Sequence, residues 1–208
     1  MATTTNYGWT TPDDTALVKD GASAIRSLGT SIDTAMNTAL GTKKAGMVLL
    51  NTTSFSGVAS QSLNNVFSAT YRNYRVVLDY VPATTSGVVT LRLRASGADN
   101  STANYQRTII YLGTSPTVAY SRNTNATSID LNGSTANAYY STVFDLITPF
   151  AALHTQAIGL NAYKATSADN EINALQFGFN GTTSFDGISV LSSGSNLTGS
   201  ISVYGYNA

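Results

Sequence analysis

The chain has 208 residues, and its 11 Lys+Arg balance 11 Asp+Glu, so the formal net charge is zero. Only 11% of positions are charged, against about 25% in an average soluble domain, while 42% are hydrophobic, enough for one ordinary core with an extension. So neutral a chain cannot raise a phosphate-binding field, which excludes nucleic acid as the main partner. The absence of cysteine excludes disulfides, thiolate nucleophiles and sulfur-ligated zinc. No run of about 18 apolar residues predicts membrane insertion, and the opening MATTTNYGWTTPDD has neither the basic nor the apolar part of a secretory signal.

Residues 1–16 read as an irregular polar segment carrying Tyr7, Trp9 and Pro12. Two aromatic groups there suit docking on a partner, with ordering on contact. Thr11-Pro12-Asp13-Asp14 reads as a helix start: a capping hydroxyl, a proline at the first helical position and carboxylates near the positive helix end. From there residues 17–44 predict a helical stem. Val18, Gly21, Ile25, Leu28, Ile32, Ala35 and Ala39 recur at alternating steps of three and four, a heptad seam. The seam is thin, and Gly29 with several Ser and Thr weakens the helix. A lone helix of this quality is marginal in water, so packing against identical copies is the expected remedy; lying on the β-domain is the alternative. Gly41, Lys43, Lys44 and Gly46 read as its stop.

Residues 45–208 read as a β-domain. Met47–Leu50, Tyr74–Val81, Val88–Arg94, Tyr105–Leu112, Thr117–Ser121 and Ser128–Leu131 are candidate strands, as are Ala138–Ile147, Ala157–Ala165, Ile172–Phe179, Gly187–Leu191 and Ser200–Tyr206. About ten short strands with no second helix predict a mainly β fold, an antiparallel sandwich or jelly roll. Val89, Leu91 and Leu93 alternate with Thr90, Arg92 and Arg94, placing both arginines on the solvent face. Residues 95–104, 123–127 and 181–184 read as loop tips.

Few residues offer chemistry. His154 is the only histidine and Glu171 the only glutamate; no nucleophile elbow accompanies the histidine, and no facing carboxylate pair can be read. Asp79 and Asp145 sit inside apolar strands, where pairing with Arg72, Arg75 or a backbone donor is the expected role. No calcium-loop pattern is present, so neither a metal site, a cofactor nor a catalytic residue is assigned. Tyrosines are frequent, among them Tyr80, Tyr111, Tyr139, Tyr140, Tyr163, Tyr204 and Tyr206. Each offers a flat apolar face with a polar tip, suited to sugar stacking or to sheet packing.

Two parts of the chain resemble known proteins. Asn6, Tyr7, Gly8, Trp9, Pro12 and Asp13, followed by Gly21, Ala22, Ala24, Ile25, Leu28, Gly29, Ile32 and Asp33, are similar to the virion-attachment ends of tailed-bacteriophage tail-fibre and minor tail proteins. The β-domain, with VFSATYRNYRVVLDY early and GSISVYGYN at its end, resembles the jelly-roll heads of such appendages. The resemblance implies a homotrimer in the virion, with a helical stem and a β head that meets the host surface, mounted on tail, baseplate or capsid proteins. No binding residues carry over from it. The expectation is a non-enzymatic short tail fibre that attaches through Tyr7, Trp9 and Pro12 and trimerises along Val18, Ile25, Leu28, Ile32 and Ala35. Its head binds a host glycan or protein, a saccharide by preference, through Asn100, Tyr105, Asn125 and Thr182. A particle-stabilising decoration protein is the alternative, and a small glycan depolymerase a third reading.

Overall fold

The computed structural model describes residues 2–12, 17–40, 46–85, 87–112, 118–133, 135–164 and 170–207. They form two compact units, Met1–Gly46 and Met47–Ala208.

The first unit opens with a small hairpin rather than an irregular segment. Strand β1 (Ala2–Thr3) pairs antiparallel with β2 (Thr10–Thr11). The turn between them is closed by Thr4 N–H donating to Trp9 O and Gly8 N–H to Thr4 O, both 2.9 Å, and by Trp9 N–H donating to Thr4 Oγ1 at 3.0 Å. Gly8 has φ +65°, which only glycine takes without steric cost. The hairpin also corrects the expected helix start, because Thr11 is committed to a strand. Asp13 and Asp14 lie outside the described residues. Helix α1 runs Val18–Leu40; its expected stop at Gly41, Lys43 and Lys44 also lies outside them. No described side chain of α1 is buried, and Val18 is 96% exposed and Ile25 64%. Gly21, Ala24, Leu28, Ile32 and Ala35 are half-buried. Among the described residues of this unit, the predicted seam is thus half-buried at best and has no buried core residue.

The second unit is a sandwich of antiparallel sheets. Its strands are β3 (Met47–Val58), β4 (Ser60–Leu63), β5 (Asn73–Pro82), β6 (Val88–Ala95), β7 (Ala98–Asp99), β8 (Tyr105–Leu112), β9 (Ala119–Ala126) and β10 (Ile129–Gly133), then β11 (Tyr140–Ile147), β12 (Thr155–Lys164), β13 (Asn170–Phe179), β14 (Gly187–Ser192) and β15 (Leu197–Tyr206). Eight of them form one sheet in the order β3-β15-β5-β11-β12-β13-β8-β9; the other runs β10-β6-β14-β4, with β7 added beside β6. The fold is mainly β, as expected, with thirteen described strands in this unit rather than about ten. The surplus lies where apolar alternation is weak: β4 (SQSL) and β7 (AD) are polar, and β3 continues through NTTSFSGV.

The core lies between the sheets. In β5, Tyr74, Val76, Leu78 and Tyr80 are buried while their neighbours are not. From the smaller sheet Val89, Leu91, Leu93, Ile188 and Val190 join the same cluster. Each such side chain contributes about 1.5–3 kcal/mol by leaving water. Cross-strand tyrosines stack inside: Tyr80 on Tyr140 at 4.9 Å and Tyr140 on Tyr163 at 5.0 Å between ring centroids. These three therefore serve packing, and burial pushes the Tyr80 hydroxyl far above its ordinary range.

Arg94 departs from the solvent role expected of it. It is 8% exposed, and its guanidinium donates to Asn64 Oδ1 at 2.8 Å, Ser62 Oγ at 3.0 Å and Ser189 Oγ at 2.8 Å, and also to Asp99 and the Gly97 carbonyl. It ties β6, β7, β14 and the segment after β4 together on the outer side of the smaller sheet. Asp145 meets the sequence expectation. It lies opposite Arg75 in register, and Arg75 Nε and Nη2 donate to its two oxygens at 2.8 Å each.

Candidate functional site

Strand register fixes what the outer face of the eight-stranded sheet presents, because directly opposed residues share a face. One row runs Leu49, Tyr204, Arg75, Asp145, Ile158, Gln176, Thr108, Arg122 from β3 to β9. Beside Asp145 the row carries a second bond, Tyr206 Oη donating to Asp145 Oδ1 at 2.5 Å, and Arg75 lies 5.8 Å from the Tyr206 ring centroid. The hydrogen bonds from Arg75, then Tyr206, hold the Asp145 carboxyl below its ordinary range. The next row towards the strand ends that include Asn73 and Ile147 contains Gln156, Gly178 and Gln106 on β12, β13 and β8.

A depression of about 270 Å³ opens there, lined by Gln106, His154, Thr155, Gln156, Gln176, Gly178 and Asn180. Its shape follows from side-chain size. Gly178, between Gln156 and Gln106, is itself buried and adds no side chain to the depression, and a Cβ there would sit 2.6 Å from Thr155 O. His154 stands at the end of the loop joining β11 to β12. That loop is pinned at Thr148, whose N–H donates to Arg72 O and whose Oγ1 donates to His154 O, both at 3.1 Å. Thr148 has φ +55°, a genuine outlier for a β-branched residue and a place where backbone strain is stored. Three glutamine amides, one asparagine and one imidazole thus converge on a site without a carboxylate or a lysine. Such groups both donate and accept hydrogen bonds. The arrangement can hold a neutral, hydroxyl-rich ligand; nothing in it supplies a nucleophile with its base.

The loops proposed from sequence gather at the same end of the unit. Asn180 N–H donates to Asn104 O at 2.9 Å, Phe185 N–H to Pro149 O at 2.8 Å, and Tyr105 stands opposite Ala126. The individual residues fare differently. Tyr105 is fully buried: its hydroxyl accepts from Leu93 N–H and donates to Asn100 O, each at 3.0 Å. It is a core tyrosine and cannot meet a receptor. Asn100 is half-buried, and its Oδ1 accepts from Thr102 N–H at 3.0 Å and Thr102 Oγ1 at 2.7 Å, an Asx turn that shapes the loop. Asn125 is exposed but belongs to β9, at φ +58°, so most of the expected 123–127 loop is edge strand. Thr182 is exposed, two residues beyond Asn180. None of the four lines the amide depression, which sequence reading missed. Its glutamines are outward residues of the consecutive strands β12 and β13 and of the distant β8, and only the register unites them.

Met47, where the chain enters this unit, lies opposite Tyr206 at the same end. Glu171 accepts a hydrogen bond from Tyr163, and Asp145 is held by Arg75 and Tyr206. Among the described residues no group of three or more His, Asp or Glu could hold a metal ion, and no helix is long and apolar enough to cross a membrane.

Comparisons with known proteins add no family. No family model matches the chain, and no curated protein matches it. A crystal structure of a protein of unknown function from Shewanella oneidensis MR-1 is similar at a TM-score of 0.27 and 10% identity, over 82% of this chain and 83% of that one, a likeness too low to carry an argument.

Proposed function

We propose that the chain is a homotrimeric structural protein of a tailed bacteriophage, a short tail fibre whose β-domain binds a neutral host-surface saccharide without cleaving it. The observation that carries the binding reading is the depression formed by Gln106, His154, Gln156, Gln176 and Asn180. Side-chain amide groups match the hydroxyls of an uncharged sugar, and one such site is weak until three heads and many fibres act together. The exposed Val18 and Ile25 on the seam of α1 support assembly, and the exposed hairpin supports docking on tail, baseplate or capsid proteins. The engaged carboxylates Asp145 and Glu171 argue against the depolymerase reading. One observation favours the decoration reading: the depression lies at the end where the chain enters the β-domain, not at the opposite one.

The test uses the purified full-length chain. It should label host cells, compete with infection by the particle that carries it, and release no reducing sugar from host polysaccharide. Changing Gln106 and Gln156 together to Ala should lower cell labelling by about tenfold, the worth of one or two lost hydrogen bonds. Failure of saturating protein to label cells or compete leaves the decoration protein as the better reading; new reducing ends would restore the enzyme.

A further inference from the structure

The outer face of the eight-stranded sheet carries an apolar band next to the amide depression. One row of directly opposed residues runs Val77, Val143, Leu160, Ala174, Ile110, Tyr120 across six strands. Ile158 and Ile172 flank it on the rows to either side. Ile110, Tyr120, Ile158, Leu160 and Ile172 leave between 40 and 80% of their surface in water. Together they expose roughly 500 Å², in the range of the largest apolar patch a monomer tolerates. Isolated exposed leucines need no explanation, but a continuous row in a chain so rich in Ser, Thr and Asn does.

We infer that this band is the contact surface between copies of the chain, and that it receives the β3 edge of the neighbouring copy. The inference extends the trimer reading, but it stands on the sheet face rather than on the helical seam. Three features of that face select a second copy as the occupant. A closed ring of three uses two different patches on each chain, one meeting the other on the next copy. The same face supplies the second patch, because Met47 and Leu49 are exposed on β3 at the opposite edge of the sheet. Charge offers no other partner: Arg75 is neutralised by Asp145 in a bidentate pair, and Arg122 and Lys164 alone would not hold an anionic surface. The size also fits, since a stable contact buries about 800 Å² per partner, a largely apolar centre with a polar rim, and the band supplies that centre.

A consequence follows for the saccharide site. Gln176 lines the depression and also the shallow trough between Ile158, Leu160 and Ile110. A copy seated on Ile158 and Leu160 therefore lies beside the depression, across Gln176.

The chain has no cysteine, which makes cross-linking free of background. Leu49→Cys and Leu160→Cys, combined in the full-length chain and treated with a short bismaleimide, should give covalent trimers, while neither single variant should. Leu160→Glu should weaken assembly by at least about tenfold, as the loss of a central contact does, whereas Ala98→Glu, exposed on β7 of the smaller sheet and outside both patches, should not. If the wild-type chain is a monomer at micromolar concentration, the trimer reading and this inference fall together. If it is a trimer that gives no cross-link and tolerates Leu160→Glu, the face assignment alone is overturned. Dimers from Leu160→Cys by itself would also overturn it, because they show the band meeting itself.

Discussion

Single residues here show which interactions a sequence displays and which it hides. Asp145 stands in an apolar strand but on the outer face, about a third exposed, and Arg75, directly opposite it in register, is its partner. Its contribution has a definite pH dependence. The folded value lies below the ordinary 3.8 because of Arg75 first and Tyr206 next. The stabilisation is therefore present in full above that ordinary value and is lost as pH falls through the depressed one. Asp145→Asn should leave a melting temperature that changes less between pH 5 and pH 3 than that of the wild type; parallel acid limbs would reject the pairing as a source of stability. Arg94 was hidden. Alternation puts it on the outer side of β6; Asp99 lies only five residues on, but Asn64 and Ser189, which complete its cover, come from segments distant in sequence. Arg94→Ala leaves the Asp99 carboxylate without its cation and should cost about 3 kcal/mol in denaturant unfolding, as the breaking of a buried pair does. A loss below about 0.5 kcal/mol would show that water replaces the guanidinium. Tyr105 was misread for a similar reason: a tyrosine at a strand start looks the same in sequence whether it turns inward or outward, and here both its hydroxyl bonds are to backbone groups.

At the scale of elements, periodicity was legible and competition between elements was not. The three-four spacing of Val18, Ile25, Leu28, Ile32 and Ala35 gives a single stripe, and the observed helix spans all of it. Its start was misplaced because Thr11 serves β2, where pairing with Ala2 outweighs the capping signal. The stripe without a core makes a prediction of its own. Ile25→Asp combined with Leu28→Asp puts two charges into the proposed seam of every copy. Sedimentation equilibrium should show the assembly of 21.8 kDa chains loosened by at least about tenfold, since a buried unpaired charge costs several kcal/mol. Under the trimer proposal helical content should fall with it, because a lone helix of this composition is marginal in water. An unchanged mass would mean that the seam faces solvent. The strand pattern was read well where apolar and polar residues alternate, as in β5 and β6. It failed for β4 and β7, whose residues carry no alternation and are recruited only by β14 and β6. The candidate site was illegible for the same reason, since Gln106, Gln156 and Gln176 meet only through the two registers that pair β12 with β13 and β13 with β8.

For the whole molecule, the division into Met1–Gly46 and Met47–Ala208 separates proposed attachment from proposed recognition. The described core residues of the β-domain all come from Phe55 onward. That hairpin is already folded, with Tyr7 stacked on Trp9 at 5.0 Å between centroids and Tyr7 still exposed. A preformed aromatic pair on a tight turn loses little freedom on binding, which is what an anchor requires. Pro12, also exposed, stiffens the exit from β2 and removes a donor there. The expected behaviour of a chain lacking residues 2–12 is therefore specific. Its β-domain should unfold within about 1 kcal/mol of the full-length protein, because no core residue is lost. It should assemble as before and still label host cells. It should fail to enter particles when supplied in place of the full-length chain during infection, and Trp9→Ala should reproduce most of that failure, as a central aromatic anchor does. Normal incorporation of the shortened chain would move the attachment surface off the hairpin and onto the helix or the β-domain.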